Sequence, residues 1–338
     1  MKSKKVILAM LLMIAILGYL NMTDFRIADY TGRSVLDPDK QGIPSEYSVD
    51  PVVMFCPRDD CAHTLEFIIN NSDTIHCAFF DLDIPELIGA LEAKNASVIV
   101  DADNHGLVKG KITHLKKDTR TAFMHNKFCI FDNSIILTGS MNPTHNGNNR
   151  NNNNMIIISS SYLAENYEAE FQEMWNGEFG KGGRTANPVI MLNDQRIENW
   201  FCPEDWCANK IMNVLEQANE SIYFMTFSFT HDDIGDILIE KHKQGVEVKG
   251  IFETRQNRQY SEMDKLNKSG IHVMTDTNPA AMHHKVFIID NRTVITGSMN
   301  PTKSGDTRND ENVLIVHGPR IAKAYLQEFG NIFNNFIK

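Results

Sequence analysis

The sequence predicts an α/β protein made of two similar halves, each a mixed β-sheet flanked by helices. Short apolar runs with strand character alternate along the chain with longer amphipathic runs, a pattern typical of α/β sheets. In addition, the stretch 124–144 recurs at 282–302, and 13 of the 21 positions are identical. We therefore expect the same order of strands and helices to occur twice.

The predicted elements follow one order in both halves. The first half is expected to contain strand 52–55, helix 60–70, strand 74–80, helix 85–94, strand 97–101, a hairpin, strand 155–159 and helix 163–175. The second half repeats this order with helix 207–218, strand 221–227, helix 233–244, strand 246–252, a hairpin, strand 313–317 and helix 320–333. Each hairpin has Asp-Asn as turn residues between two apolar strands.

Composition divides the chain into five segments. They are a signal peptide or membrane anchor (1–22), a polar stalk (23–50), the first half (51–176), a Gly-rich linker (177–188) and the second half (189–338). With 338 residues, of which 42% are hydrophobic, the chain is long enough to bury a sizeable core.

The N-terminal segment has the pattern of a targeting sequence. Lys2, Lys4 and Lys5 precede the apolar run 6–20, and the first acidic residue is Asp24. The run is short for a membrane-spanning helix, which needs about 20 residues. No small-residue cleavage site follows the run, so an uncleaved anchor is favoured over a cleaved signal peptide. In either case we expect the folded body to lie outside the cytoplasm.

Both copies of the repeated stretch satisfy H-x-K-x4-D-x6-G-S-x-N. The matched residues are His125, Lys127, Asp132, Gly139, Ser140 and Asn142 in the first copy, and His283, Lys285, Asp290, Gly297, Ser298 and Asn300 in the second. Residues two apart on a strand share a face, so each His is expected beside its Lys. The Ser hydroxyl and the Asn carboxamide can donate to a phosphate oxygen. A lone His-x-Lys is usually a surface pair, but six fixed positions occurring twice indicate a catalytic site.

The paired motifs resemble the double H-x-K-D signature of the phospholipase D superfamily, over about residues 50–335. The resemblance implies two halves packed about a pseudo-twofold axis in a monomeric chain, with both motifs in one active site. It also implies a phosphodiesterase that needs no metal or other cofactor. One His attacks phosphorus to give a phosphohistidine while the other protonates the leaving oxygen, and imidazole suits both roles because it titrates near neutrality.

The resemblance also gives each motif residue an expected role. The catalytic residues would be His125, Lys127, Asn142, His283, Lys285, Asn300 and Glu311, and the residues that bind substrate would be Ser140 and Ser298. In the family the motif Asp is a framework residue, so Asp132 and Asp290 are expected to be structural.

An acidic residue downstream of each motif orients the histidine of the same half in the family. Glu311 stands at this position after His283, but the equivalent position after His125 is Asn153. A carboxylate stabilises imidazolium and raises the pKa of the histidine, whereas a carboxamide orients the ring without that charge. We therefore expect His283 to be protonated at rest and to act as general acid, and His125 to be the neutral nucleophile.

The cysteines form a second repeated pattern. Its members are Cys56 and Cys61 in FCPRDDCA, and Cys202 and Cys207 in FCPEDWCA. An oxidising compartment favours two short-range disulfides, and the alternative is one zinc ion bound by all four thiolates. Cys77 and Cys129 lie in apolar, strand-like runs, and we expect them to be buried thiols.

Charge bears on the substrate. A net charge of −10 is unfavourable for binding a long polyanion such as a nucleic acid, because phosphate binding depends on clustered Lys and Arg. An anchor would hold the cleft close to a bilayer, so phospholipid head groups are the leading substrate. The first alternative is a secreted or anchored endonuclease for DNA or RNA, which aromatic or basic side chains lining the cleft would favour. The second is a tethered binding protein with weakened catalysis, for which Asn153 is the only support.

Overall fold

The computed structural model describes residues 42–256 and 259–334. The strands before residue 176 are β1 (Ser45–Glu46), β2 (Val52–Cys56), β3 (Ile75–Phe79), β4 (Ser97–Val100), β5 (His114–Lys117), β6 (Lys127–Phe131), β7 (Ile135–Gly139) and β8 (Asn153–Ser159). The helices of this part are α1 (Cys61–Asn70), α2 (Pro85–Ala93), α3 (His105–Val108), α4 (His145–Asn149) and α5 (Ser161–Trp175).

The second part of the chain has an equivalent series of elements. Its strands are β9 (Val189–Leu192), β10 (Gln195–Cys202), β11 (Ser221–Thr226), β12 (Glu247–Phe252), β13 (His272–Thr275), β14 (Lys285–Ile289), β15 (Thr293–Gly297) and β16 (Glu311–His317). The series β2–β8 is repeated as β10–β16, preceded by β9. Its helices are α6 (Cys207–Glu216), α7 (Asp232–Lys243), α8 (Met263–Lys268), α9 (Lys303–Thr307) and α10 (Pro319–Asn334), with a 3₁₀ turn at Thr254–Gln256.

Two mixed sheets have the same strand order. The first sheet runs β2-β8-β7-β6-β3-β4-β5, and the second runs β10-β16-β15-β14-β11-β12-β13 with β9 and β1 added beyond β10. In each sheet the three strands joined by helical connections are parallel, and the motif hairpin pairs with them antiparallel. The predicted fold class, two similar α/β halves, is confirmed.

The long helices α5 and α10 lie between the two sheets. α5 packs on β3, β6 and β7 of its own sheet and on β10 of the other, and α10 packs in the equivalent way on β11, β14, β15 and β2. One apolar core, which includes Tyr167 of α5 and Tyr325 of α10, fills this space. Separate cores lie under α1 and α2 and under α6 and α7. This layering brings the two motif hairpins face to face.

The end of the predicted stalk belongs to the folded body. Ser45 and Glu46 pair with β9, and the carboxylate of Glu46 accepts hydrogen bonds from the N–H and hydroxyl of Ser161 at the start of α5. The stalk prediction is therefore wrong for residues 42–50. The rest of the stalk and the predicted signal or anchor lie outside the described residues. None of the helices within the described ranges has the length and apolar character needed to cross a membrane.

Candidate active site

The repeated motifs lie on two equivalent hairpins, β6-β7 and β14-β15. Asp132 and Asp290 occupy the turns, each with a φ of 50°. Oδ1 of Asp132 accepts hydrogen bonds from the backbone N–H groups of Asp73 and Thr74, both at 2.8 Å. Asp290 accepts the equivalent bonds from the backbone of residues 219–221. Both carboxylates thus fix the hairpin at the end opposite the histidine, which is the contact pattern of a framework residue.

The backbone of the opposite half holds each motif histidine. The N–H of His125 donates to the C=O of Asp310 at 2.9 Å, and the N–H of His283 donates to the C=O of Asn152 at 2.8 Å. Both residues are more than nine-tenths buried. The two histidines therefore meet where the halves join, so that one site contains both motifs.

The imidazole rings are also oriented across the halves. Nδ1 of His125 donates to Oε2 of Glu311 at 2.7 Å. Nδ1 of His283 lies 2.9 Å from Oδ1 of Asn153 and 3.0 Å from the C=O of Ser140, and it carries the proton because both partners are acceptors. This tautomer puts the lone pair of each neutral ring on Nε2.

The prediction that Glu311 orients the histidine of its own half is wrong. Glu311 begins β16 directly after Asp310, whose backbone binds His125, so the carboxylate reaches the ring of the first half. Asn153 follows Asn152, whose backbone binds His283, and its carboxamide likewise reaches the ring of His283. The prediction of a protonated resting His283 loses its basis, because the charge that stabilises imidazolium lies beside His125.

Burial dominates the protonation of both rings. It lowers the pKa of His125 to about 4, although the Glu311 carboxylate acts in the opposite direction. It lowers the pKa of His283 well below its usual value, and the charges of Lys285, Lys127 and His125 add to that effect. Both rings are therefore neutral in the free protein at pH 7.

The motif lysines are buried beside the histidines. Lys127 and Lys285 are 1% and 3% exposed, and each Nζ donates to the backbone C=O of its own motif histidine, at 2.5 and 2.7 Å. Burial lowers the pKa of Lys127 to about 7. Burial also lowers the pKa of Lys285 well below its usual value, and the charge of Lys127 adds to the effect. A bound anion would stabilise the charged form of both lysines, so the site is suited to an anionic group.

The motif serines lie behind the histidines. Oγ of Ser298 donates to Oε2 of Glu311 at 2.7 Å, and Oγ of Ser140 donates to Oδ1 of Asn153 at 3.0 Å. Each Oγ also accepts the backbone N–H of the residue that follows its partner, and both serines are fully buried. Their hydroxyls position the two residues that orient the rings, and their contact with substrate stays a prediction.

The motif asparagines are half-buried. Oδ1 of Asn300 accepts from the N–H of Ser228 at 3.3 Å, and Oδ1 of Asn142 is buried without a hydrogen-bond partner in the described part of the chain. Their role as phosphate donors stays a prediction.

Aromatic side chains that the sequence analysis did not single out contact both histidines. Phe80 packs edge-on against His125 with 4.9 Å between ring centroids, and Phe227 packs likewise against His283 at 4.7 Å. Phe123, which is 41% exposed, packs on Phe80 at 5.4 Å. An aromatic wall thus reaches from the surface to His125. Phe80 and Phe227 directly follow the equivalent strands β3 and β11, and this shared position was the signal available in the sequence.

Two buried asparagines, also missed, lock the halves together. Oδ1 of Asn154 accepts from Thr296 and Tyr325 at 2.8 and 3.1 Å, and Oδ1 of Asn312 accepts from Thr138 and Tyr167 at 2.8 and 3.3 Å. In each case both donors belong to the opposite half. The shared R-N-x-x-N pattern that ends at these residues was the available signal.

All six cysteines are paired. Cys56 is bonded to Cys61 and Cys202 to Cys207, so the blocks form the predicted disulfides and not a four-thiolate zinc site. The prediction that Cys77 and Cys129 are free thiols is wrong, because they form a third disulfide. They are direct cross-strand partners on β3 and β6, a register that sequence alone did not reveal.

The fold and the paired motifs define a member of the phospholipase D superfamily. More specifically, the family described as "Cardiolipin synthase, PLD-like domain" matches residues 86–175 and 211–333, and the chain belongs to it.

Individual relatives match parts of the chain. The mitochondrial cardiolipin hydrolase of Chlamydomonas reinhardtii is 35% identical over 129 residues, which cover 38% of this chain and 58% of that protein. The phospholipase D of Rickettsia typhi is 36% identical over 139 residues, covering 41% and 68%. The crystal structure of phosphatidylserine synthase from Haemophilus influenzae Rd KW20 covers 83% of this chain and 86% of its own, with a TM-score of 0.62 and 12% identity. At 12% identity, the likeness to phosphatidylserine synthase shows a shared fold alone.

Proposed function

We propose that the protein is a phospholipase D-type phosphodiesterase that hydrolyses phospholipid head groups through a phosphohistidine. The observation that carries the proposal is the pair of buried histidines, His125 and His283, each oriented through Nδ1 by a residue of the opposite half. Two imidazoles with Nε2 available, flanked by two buried lysines, provide a nucleophile, a proton donor and an anion site in one place.

In this proposal His125 is the nucleophile because of the carboxylate that faces its ring, and not because a carboxamide stands at position 153. When Nε2 attacks phosphorus, the new P–N bond leaves an imidazolium-like ring with its proton on Nδ1. The carboxylate of Glu311, 2.7 Å from that Nδ1, stabilises this charge. The bound phosphodiester anion favours the protonated form of His283, and the imidazolium then donates its Nε2 proton to the oxygen of the departing alcohol as the P–O bond breaks.

Water completes the reaction with the roles reversed. The now neutral His283 accepts a proton from water, the water oxygen attacks phosphorus, and the P–N bond to His125 breaks. The negative charge on the phosphoryl oxygens is held by Lys127 and Lys285. These steps involve only residues of this chain and water, so we expect activity to persist in EDTA.

The substrate class is supported by two observations. The relatives that match this chain at more than 30% identity include a cardiolipin hydrolase and phospholipases D, and the net charge of −10 disfavours long polyanions. The observation that favours a nuclease instead is the aromatic wall formed by Phe123 and Phe80 beside His125, on which a base can stack. A binding protein with weakened catalysis is disfavoured because Asn153 keeps His283 oriented.

The proposed location outside the cytoplasm is supported by the three disulfides, because disulfides form and persist in oxidising surroundings. Together with the basic and apolar N-terminal pattern, they favour a body outside the cytoplasm. The proposed attachment to a membrane through residues 1–22 rests on sequence alone.

The test compares substrates side by side. The full chain is incubated with phosphatidylcholine vesicles containing cardiolipin, and with single- and double-stranded DNA and RNA, all in EDTA. His125→Ala is the inactive variant, and His63→Ala, which changes an exposed histidine of α1, is the matched control. Release of a head group or of phosphatidic acid that only His125→Ala abolishes supports the proposal. Degradation of nucleic acid alone identifies a nuclease, and no turnover of either overturns the enzyme proposal.

A further inference from the structure

We propose that Asn153 is a positioning residue that sets the alkaline limit of the reaction, because it orients His283 without stabilising the protonated ring. The inference rests on the proposed function, in which His283 is the proton donor of the first step. It concerns the position that orients each catalytic ring, where the two halves differ in charge: Glu311 lies beside His125, and Asn153 lies beside His283.

The hydrogen bonds of Asn153 fix the orientation of its carboxamide. Oδ1 accepts from Nδ1 of His283 at 2.9 Å and from Oγ of Ser140 at 3.0 Å, while Nδ2 donates to the C=O of Gly147 at 2.9 Å. The residue is fully buried. A neutral oxygen therefore faces the ring, and the amide cannot flip without losing all three bonds.

The charged groups with the largest effect on His283 leave its proton poorly stabilised. Lys285, Lys127 and His125 disfavour a second positive charge. The nearby carboxylate, Glu311, is already engaged by His125 and Ser298. The remaining partners of the ring, the C=O of Ser140 and the ring of Phe227, are neutral. The donor form of His283 is consequently lost at a lower pH than it would be beside a carboxylate.

The opposite half shows that a carboxylate fits this framework. Glu311 is held by Ser298, which corresponds to Ser140, and by Nδ2 of Asn309 at 3.3 Å. Asn151 stands two residues before Asn153, as Asn309 stands two residues before Glu311, so the sequence of the first half carries the same two donor residue types. Asn153→Glu therefore copies an arrangement that the chain already builds. Asn153→Asp, which keeps the length of the side chain, is the second variant.

The first readout does not require a substrate. The full chain is labelled at the Cε1 carbons of histidine, and the pKa of His283 is measured by NMR titration in the wild type and in both variants, with the signal assigned by its loss in His283→Asn. Because a carboxylate within hydrogen-bond distance favours imidazolium, we expect the pKa of His283 to rise by about 1–2 units. The pKa of His125 should change by less, and Glu311→Gln should lower it.

The second readout is the pH profile of kcat/KM. Its alkaline limb reports the proton donor of the free enzyme, so it should move to higher pH by the same amount in Asn153→Glu or Asn153→Asp. An unchanged pKa of His283 in a folded variant, or a raised pKa with an unmoved limb, would overturn the inference. If the wild type hydrolyses no phosphodiester, the proposed function fails, while the titration still decides whether Asn153 controls the proton on His283.

Discussion

Nδ1 of His125 and Oε2 of Glu311 lie 2.7 Å apart, although the two residues belong to different halves of the chain. The bond is possible because the backbone of Asp310 binds the N–H of His125, which places the next residue against the ring. Each half therefore supplies a histidine and the residue that orients the histidine of the other. Neither half contains a complete site, so the two halves have to fold together for activity.

The two histidines should respond differently to the leaving group. In His283→Ala, a substrate with a nitrophenolate leaving group needs no protonation, so its cleavage should fall about tenfold or less. Cleavage of an alkyl phosphodiester should fall about 10²–10⁴-fold. In His125→Ala both substrates should lose activity, because the nucleophile is absent. First-turnover rates on both substrates, measured with the protein in excess, check this, because in later turnovers His283 is also needed to activate water. Equal losses on both substrates in the first turnover of His283→Ala would contradict its role as proton donor.

Lys127 should lower the stability of the protein. It is 1% exposed and its pKa lies near 7, below the value of about 10.4 in the unfolded chain. The folded state then binds fewer protons between pH 7 and 10.4, so this contribution to stability rises with pH across that window. Lys127→Met should raise the free energy of unfolding by about 1–3 kcal/mol at pH 7 and by less at pH 10, while abolishing activity.

Denaturant unfolding at the two pH values measures the effect of Lys127→Met. The matched control is Lys117→Met, which removes an exposed lysine and should change the free energy by about 0.5 kcal/mol or less. A destabilised Lys127→Met would show that the amino group is better solvated in the fold than its burial indicates.

Anion binding should take up protons. A monoanionic phosphonate ester placed between Lys127 and Lys285 favours their charged forms, and burial has lowered the pKa of both. Calorimetry at pH 8 in buffers with different ionisation enthalpies should detect this uptake, and the affinity should fall as the pH rises from 7 to 9. Binding that releases protons, or that is independent of pH, would contradict the assignment of the lysines as the anion site.

The hairpins and the order of elements could be predicted because their signals are local. The Asp-Asn turns and the apolar runs around them fix β6-β7 and β14-β15 without reference to the rest of the chain. The strands β5 and β13 were missed because they are short, and β5 is largely polar and exposed. β10, which reads QRIENWFC, was missed because its apolar residues are concentrated at one end.

The sequence predicts which residues form the candidate site but not which of them bond to each other. The repeat identifies both histidines and the family resemblance identifies Glu311. The bond from Glu311 to His125 depends on how the halves pack, which no local pattern records. The same holds for Cys77 and Cys129, which become partners only through the register of β3 and β6. The bonds of the serines to Glu311 and Asn153 were also not predicted, because a hydroxyl close to a catalytic motif can bind either the substrate or a neighbouring side chain.

The disulfide between Cys77 and Cys129 should stabilise the fold more than the short-range ones. It closes a sequence separation of 52 residues, whereas Cys202 and Cys207 are separated by 5. Since the restriction of the unfolded chain grows with loop length, the double variant Cys77→Ala/Cys129→Ala should lose about 2–4 kcal/mol. Cys202→Ala/Cys207→Ala is the matched comparison, and a larger loss there would contradict the expected order. Denaturant unfolding of both double variants measures the difference.

The central claim is a covalent bond between phosphorus and Nε2 of His125. It is tested most directly by mixing the full chain with a phosphodiester labelled in the part that stays on phosphorus, quenching the reaction within milliseconds at alkaline pH, and locating the label by peptide mass spectrometry. The account predicts a phosphoryl adduct on His125 that is absent in His125→Ala and accumulates in His283→Ala with a nitrophenyl substrate. An adduct on His283, or turnover with none on either histidine, would contradict it.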